Sequence, residues 1–295
     1  MSLDNDSASC SEVATIHSII YLEVELTMPF ASTAAARVHY TVEGNGPALL
    51  LLHGTGGDGF SHWGQLLRHL TPSHTVICPD YAGSGQTTDS DEPLQLDDLV
   101  AQIVAVADAC GQERFDLVGY SLGAVIAAAL AARHPQRVRS LVLVAGFAGG
   151  ADSRSELQFG LWRELIARDH ALMARFILLT GCNPSWLSAQ PSTVLEKRVA
   201  AIVKYTNWVG MARQADLDAR VDIRAELAQI QAPTLVIAGS QDQMVPRAQS
   251  QVLADEIAGA VFQELDTGHM MTQEQPEELA LAIAGFSSAL SPAHP

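Results

Sequence analysis

Apolar and polar positions change period along this chain. Residues 48–52 (ALLLL), 75–78, 115–118 and 138–145 are short, mainly apolar runs, and between them lie helical stretches at 62–70 and 94–110 and an Ala-rich one at 122–134. Mainly apolar strands alternating with helical patterns predict a parallel sheet buried on both faces. The opening at 20–26 and 37–42 also reads as strand, and Pro135 closes the Ala-rich helix. From about 147 to 211 the rhythm stops. Only amphipathic helical pattern remains, as in "LWRELIARDHALMARFILL", broken at "GCNPSW" and "AQPS". Strand and helix then return at 234–238, 247–257, 261–265 and 275–290. The expected fold class is α/β: a mostly parallel central sheet covered by helices on both faces, with an inserted helical cap. The divisions are an N-terminal extension at 1–19, a core at 20–146 and 213–290, a cap at 147–212 and a tail at 291–295.

Candidate chemistry centres on "FDLVGYSLGAVIAAALAARHP", where Gly119-Tyr-Ser121-Leu-Gly123 joins an apolar strand to a helix. A serine on such a tight strand-to-helix turn needs small neighbours, and the helix that begins there turns its first N–H groups toward developing negative charge. Serine is a weak nucleophile without a base, and the base needs an acid to orient it. Downstream, "APTLVIAGSQDQMVP" sets Asp242 just past one strand and "VFQELDTGHMM" sets His269 past the next. Asp266 is a weaker candidate for the acid. The order Ser, Asp, His, each beyond a parallel strand's carboxyl end, is that of a hydrolytic triad on an open α/β sheet.

The segment "LLHGTGGDGF" offers a competing reading, because Gly54, Gly56 and Gly59 match G-x-G-x-x-G and Asp80 lies 21 residues past Gly59. A helix capped at Ser61 would leave Gly59 outside the helix it should pack, and a nicotinamide site would leave Ser121, Asp242 and His269 unexplained. "GSGQT" at 83–87 lacks the Gly-Lys-Ser/Thr ending of a phosphate loop and reads as a turn.

With "HGTGG", "PDYAGSGQT", "GYSLGA", "PTLVIAGSQDQMVP" and the final "GH" in order, the chain resembles the α/β-hydrolase superfamily in its capped form, from about residue 37 to 290. The resemblance implies that Ser121, His269 and Asp242 are nucleophile, base and acid, that backbone N–H groups of Thr55 and Leu122 form the oxyanion hole, and that His53 organises its loop. It implies hydrolysis of an ester, lactone or thioester of an apolar acyl group, with no metal or organic cofactor. The alternative within the same fold is a cyclase, lyase or acyltransferase. "PDYAGSGQT" departs from the family's usual turn, with Ala82 where Arg is common. A lid formed by the insertion would line the acyl pocket with Trp162, Phe176, Trp208 and Met211, joined by Met270 next to His269, and Phe159, Met173 and Trp186 also lie in the insertion.

Composition narrows the partners. The 33 acidic and 17 basic residues give a net charge of −16, which disfavours nucleic acid and anionic membrane surfaces. No apolar run approaches the ~20 residues of a membrane span. The first residues carry acids and no Lys or Arg, unlike a secretory leader. Cys10, Cys78, Cys110 and Cys182 form no C-x-x-C pair, against a zinc site or disulfide framework. A cytoplasmic enzyme acting on a small acyl substrate fits these features. From 147 to 213, however, eight basic residues face five acidic ones, a surplus of three on a body of −19. That lid charge suggests an anionic or carrier-bound substrate.

Overall fold

The computed structural model describes residues 29–149 and 152–290. The proposed extension at 1–19, the strand expected at 20–26, the tail and Cys10 lie outside them. The chain begins with β1 (Phe30–Ser32), β2 (Ala36–Gly44), β3 (Ala48–Leu52), α1 (Gly59–Leu70), β4 (Thr75–Asp80), β5 (Thr88–Asp89), α2 (Leu96–Ala109), β6 (Phe115–Tyr120), α3 (Leu122–Arg133) and β7 (Val138–Val144). Five helices follow: α4 (Ser153–Arg168), α5 (His170–Gly181), α6 (Pro184–Ser188), α7 (Ser192–Tyr205) and α8 (Trp208–Arg220). The core resumes with α9 (Arg224–Leu227), β8 (Thr234–Gly239), α10 (Arg247–Glu256), β9 (Val261–Leu265), α11 (Met271–Glu274) and α12 (Pro276–Leu290).

The strands form one sheet in the order β1-β2-β4-β3-β6-β7-β8-β9, with β5 paired to β2. From β4 through β9 every neighbour is parallel, and β2 runs antiparallel to β1, β4 and β5. The unbroken apolar strands match this burial, since β3 and β8 have no exposed position. One face packs on α2, α3 and α10, the other on α1 and α12. All residues of α3 from Leu122 to Ala132 are buried, which its alanines allow by keeping the helix thin. A third cluster, including Phe159, Trp162, Met173 and Met211, lies in the inserted helices.

Two expectations need correction. α1 is capped by Asp58, whose carboxylate accepts from the Ser61 N–H, and Ser61 closes a capping box from the third helical position. Gly59 therefore opens the helix. The dinucleotide reading fails for a different reason: Asp80 is buried, accepting from the Gly59 N–H at 2.8 Å and paired with His39 Nδ1 at 2.7 Å, so it has no carboxylate to offer a ribose. Second, α8 crosses the boundary drawn at 212 and continues to Arg220.

Candidate active site

All six parallel strands end on one edge, and the loops that leave it carry the chemistry. Ser121 joins β6 to α3 with φ 56° and ψ −119°, a backbone region that side-chain-bearing residues rarely occupy and that costs on the order of 1–3 kcal/mol. Glycines make this turn possible. A Cβ on Gly119 would stand 2.2 Å from the Gly123 carbonyl oxygen, and one on Gly123 would stand 2.4 Å from that of His53.

The Ser121 Oγ lies 3.1 Å from His269 Nε2, and His269 Nδ1 lies 2.7 Å from Asp242 Oδ2. Asp242 and His269 are both buried. The other oxygen of Asp242 accepts from the N–H groups of Met244 and Val245, each at 2.9 Å, which fixes the carboxylate as a stable acceptor for the imidazole. Tyr120 donates its hydroxyl to the His269 carbonyl at 2.9 Å, steadying the loop. Glu274 accepts from Gly268 N–H and Asn183 N–H, and burial pushes its carboxyl above the usual range. Asp266 sits apart, bound by the Ser240 hydroxyl at 3.1 Å.

The loop after β3 is held at successive residues. Gly54 N–H donates to His62 Nδ1 at 2.9 Å, Gly56 N–H donates to Gln214 Oε1 at 2.8 Å, and Thr55 Oγ1 donates to Asp218 Oδ2 at 2.6 Å. Among the described residues the Thr55 N–H meets no acceptor, and Leu122, as first residue of α3, has none within its helix. His53 donates Nδ1–H to the Gly54 carbonyl and stacks on Tyr81 at 3.9 Å, so it organises the loop from below. Ala82, where an arginine is usual, gives its N–H to Gln102 and its carbonyl to Gln214.

Two adjoining cavities open beside Ser121. The inner one, about 60 Å³, is lined by Ser121, His269, Trp162, Met211 and Met270, together with His62, Ile177 and Met244. The outer one, about 260 Å³, shares Thr55, His62, Ile177, Met211 and Met270 and adds Arg198, Tyr205, Asn207 and Gln273. Of the expected pocket residues, Phe176 and Trp208 line neither cavity. Phe176 packs into the cap cluster, and Trp208 stacks on His170 at 4.1 Å and donates to the Val203 carbonyl.

His62, Gln214 and Asp218 were not legible as site residues. Burial beside His53 pushes His62 down to about 3, which keeps it neutral and its Nδ1 an acceptor. Burial raises Asp218 to about 7. Their one sequence signal is the i, i+4 spacing of Gln214 and Asp218, which puts both on one face of α8. Among the described residues no group of three His, Cys, Asp or Glu side chains is arranged to hold a metal ion, and no helix is long and apolar enough to cross a membrane.

The profile of the alpha/beta hydrolase family matches residues 49–282. A pyrrolizixenacetamide deacetylase from Xenorhabdus hominickii is 43% identical over 251 residues, spanning 85% of this chain and 94% of that protein. A pimeloyl-[acyl-carrier protein] methyl ester esterase from Xanthomonas campestris is 30% identical over 265 residues, or 86% of this chain and all (100%) of that one. The crystal structure of an enol-lactonase from Burkholderia xenovorans superposes with a TM-score of 0.80 at 24% identity, covering 88% of this chain and 100% of that one. The chain belongs to the alpha/beta hydrolase family and is a hydrolase.

Proposed function

We propose that the protein hydrolyses a small carboxylic ester or amide with a short acyl group, using Ser121 as nucleophile, His269 as base and Asp242 as the acid that orients it. The observation that carries this is the run of contacts from Ser121 Oγ through His269 to Asp242, at 3.1 and 2.7 Å, on the wall of a cavity of about 60 Å³. One water needs roughly 10–15 Å³ of such space, so the cavity takes a few heavy atoms, an acetyl group and not a long chain. Similarity to a deacetylase agrees with that size and extends the expected bonds from esters to amides.

In the proposed reaction Ser121 Oγ attacks the acyl carbon as its proton passes to His269 Nε2. The carbonyl π electrons become an oxyanion between the N–H groups of Thr55 and Leu122. His269 then protonates the departing alcohol or amine, and water repeats the cycle on the acyl-enzyme to release the acid. Met211, Met270 and Trp162 wall the acyl side. The outer cavity takes the leaving group, and Arg198 there makes an anionic leaving group favourable. The unpaired Cys78, Cys110 and Cys182 suit a reducing compartment such as the cytoplasm.

A fluorophosphonate probe is expected to add once, at Ser121, and Ser121→Ala to abolish both labelling and release of free acid from p-nitrophenyl acetate without unfolding the chain. Turnover retained by Ser121→Ala, or an acyl product other than the free acid, refutes the reading.

A further inference from the structure

The loop at 54–57 and the turn at 81–85 leave adjacent strands, β3 and β4, and one cap helix binds both. Gln214 is fully buried and uses both ends of its amide: Oε1 accepts from Gly56 N–H at 2.8 Å, while Nε2 donates to the Ala82 carbonyl at 3.2 Å and to Ser84 Oγ at 2.9 Å. One turn later, Asp218 accepts from the Thr55 hydroxyl at 2.6 Å. α8 approaches the turn closely enough that a Cβ on Gly210 would stand 1.8 Å from the Gly83 carbonyl oxygen. An amide and a carboxyl buried this deeply cost more than apolar residues of similar size unless their bonds are made. Gln214 holds the peptide that follows the Thr55 N–H, and Asp218 holds the Thr55 side chain.

We propose that Gln214 and Asp218 are positioning residues: acting through Gly56 and Thr55, they hold the Thr55 N–H at the place where the oxyanion forms, so that the cap completes the hole. This rests on the reading of Ser121 hydrolysis with Thr55 as a donor. The loop peptides on either side of the Thr55 N–H are fixed independently, Gly54 N–H by His62 from the core and Gly56 N–H by Gln214 from the cap. Releasing the cap side frees the Gly56 peptide to rotate, and the Thr55 N–H with it. An oxyanion donor works by being placed before charge develops, so a loosened one loses transition-state binding while substrate binding persists.

The test compares the parent with Gln214→Leu, Asp218→Leu and Asp218→Asn in the full chain, using p-nitrophenyl acetate as substrate. Two inhibitors separate the states. A methyl trifluoromethyl ketone adds Ser121 Oγ to its carbonyl, the proton going to His269 and the electron pair to the oxygen, and so needs the hole; acetone, of similar shape, is neutral and does not add, so it draws little on the hole. Losing a donor outright costs about 10²–10³ in kcat, so a loosened one is expected to cost roughly 10- to 100-fold in both Leu variants. KM and acetone affinity should stay within about threefold, and affinity for the trifluoromethyl ketone should fall in step with kcat/KM. Asp218→Asn, whose amide oxygen still accepts from Thr55, should recover most of the loss seen in Asp218→Leu. If Asp218→Leu does not fold, Thr55→Val, which removes only the hydroxyl donor, takes its place. A kcat within twofold of the parent with affinity for the trifluoromethyl ketone unchanged overturns the inference, and so does a kcat loss matched by equal loss of acetone binding. If Ser121→Ala still turns over, the hydrolytic reading itself falls. If Ser121→Ala is inactive while the Leu variants behave like the parent, only the positioning role falls.

Discussion

Asp242 and Asp266 both border the loop that carries His269, and hydrogen bonding separates their roles. Asp242 is buried, satisfied on one oxygen by two backbone N–H groups, and aims the other at His269 Nδ1. Asp266 is exposed and binds Ser240. Asp242→Asn should therefore lower kcat by about 10⁴, by analogy with serine proteases that lose this carboxylate. Asp266→Asn should stay within a few fold; the reverse pattern in p-nitrophenyl acetate turnover would move the acid to Asp266. Asp218 poses a different question, because one of its oxygens is buried among the described residues without a partner. Burial raises its pKa from 3.8 to about 7, against the opposing effect of the Thr55 hydrogen bond. Between about pH 4 and 7 the unfolded chain has lost this proton while the folded chain keeps it. Stability from this group is thus complete below that window, falls as pH rises through it, and stays lost above. Asp218→Asn cannot ionise, so its melting temperature relative to the parent should be several degrees higher at pH 8 than at pH 4.5. Equal differences at the two pH values would mean that Asp218 is not held protonated.

Elements whose identity depends on local pattern were legible, and those that depend on tertiary contact were not. β3 begins and ends where its apolar run does, β9 spans the expected 261–265, and α3 follows its Ala-Leu run to within a residue, its eleven consecutive small and apolar side chains all buried. The proposed triad could be read from the sequence for the same reason: each of its members sits at or within four residues after the end of a strand that the pattern locates. β1 and β5, of three and two residues, carry no period and exist through pairing with β2. The cap of α1 was misplaced because Asp58 and Ser61 are both good capping residues, and their reciprocal bonds decide which stands outside the helix. In the cap, amphipathic pattern identifies helices but not which stripe turns toward Ser121. On α5, Ile177 reaches both cavities while the adjacent Phe176, about 100° around the helix, packs within the cap. The contribution of α8 to the loop at 54–57 was invisible, since its two polar residues match the pattern of an exposed face and only the fold buries them.

At the scale of the whole molecule, the cap is anchored on both sides of Ser121. α8 meets the turn at 81–85, and the end of α5 accepts from Met270 N–H through the Gly181 carbonyl at 2.8 Å, next to His269. The cap's basic surplus is distributed unevenly over this frame. Arg163 pairs with Asp216 at 3.2 Å and Arg168 with Glu164 at 3.6 Å, both on exposed surface where such pairs contribute little. Arg213 is tied to Asp89, and Arg154 to the carbonyls of Gln243 and Met244. Arg198 differs: it lines the outer cavity, bonded to the neutral Gln273 and set over the Trp186 ring at 5.0 Å. A cation held in place with a neutral partner keeps its attraction for an incoming anion, in a protein whose net charge of −16 repels anions elsewhere. A charge-assisted hydrogen bond contributes about 1.5–3 kcal/mol, or roughly tenfold and upward in affinity. Arg198→Met is therefore expected to lower kcat/KM about tenfold for 4-carboxyphenyl acetate and less than twofold for phenyl acetate, which share an acyl group and differ in charge on the leaving side. Arg163→Glu with Arg168→Glu should leave both unchanged. Because the contact lies within a cavity, 0.5 M salt should reduce the Arg198 effect only in part, whereas long-range attraction by the cap surface would vanish over a Debye length of about 4 Å at that salt. An anion preference that survives Arg198→Met but is erased by the paired surface reversals would put the anion on the outside of the cap, and the outer cavity would then serve neutral leaving groups.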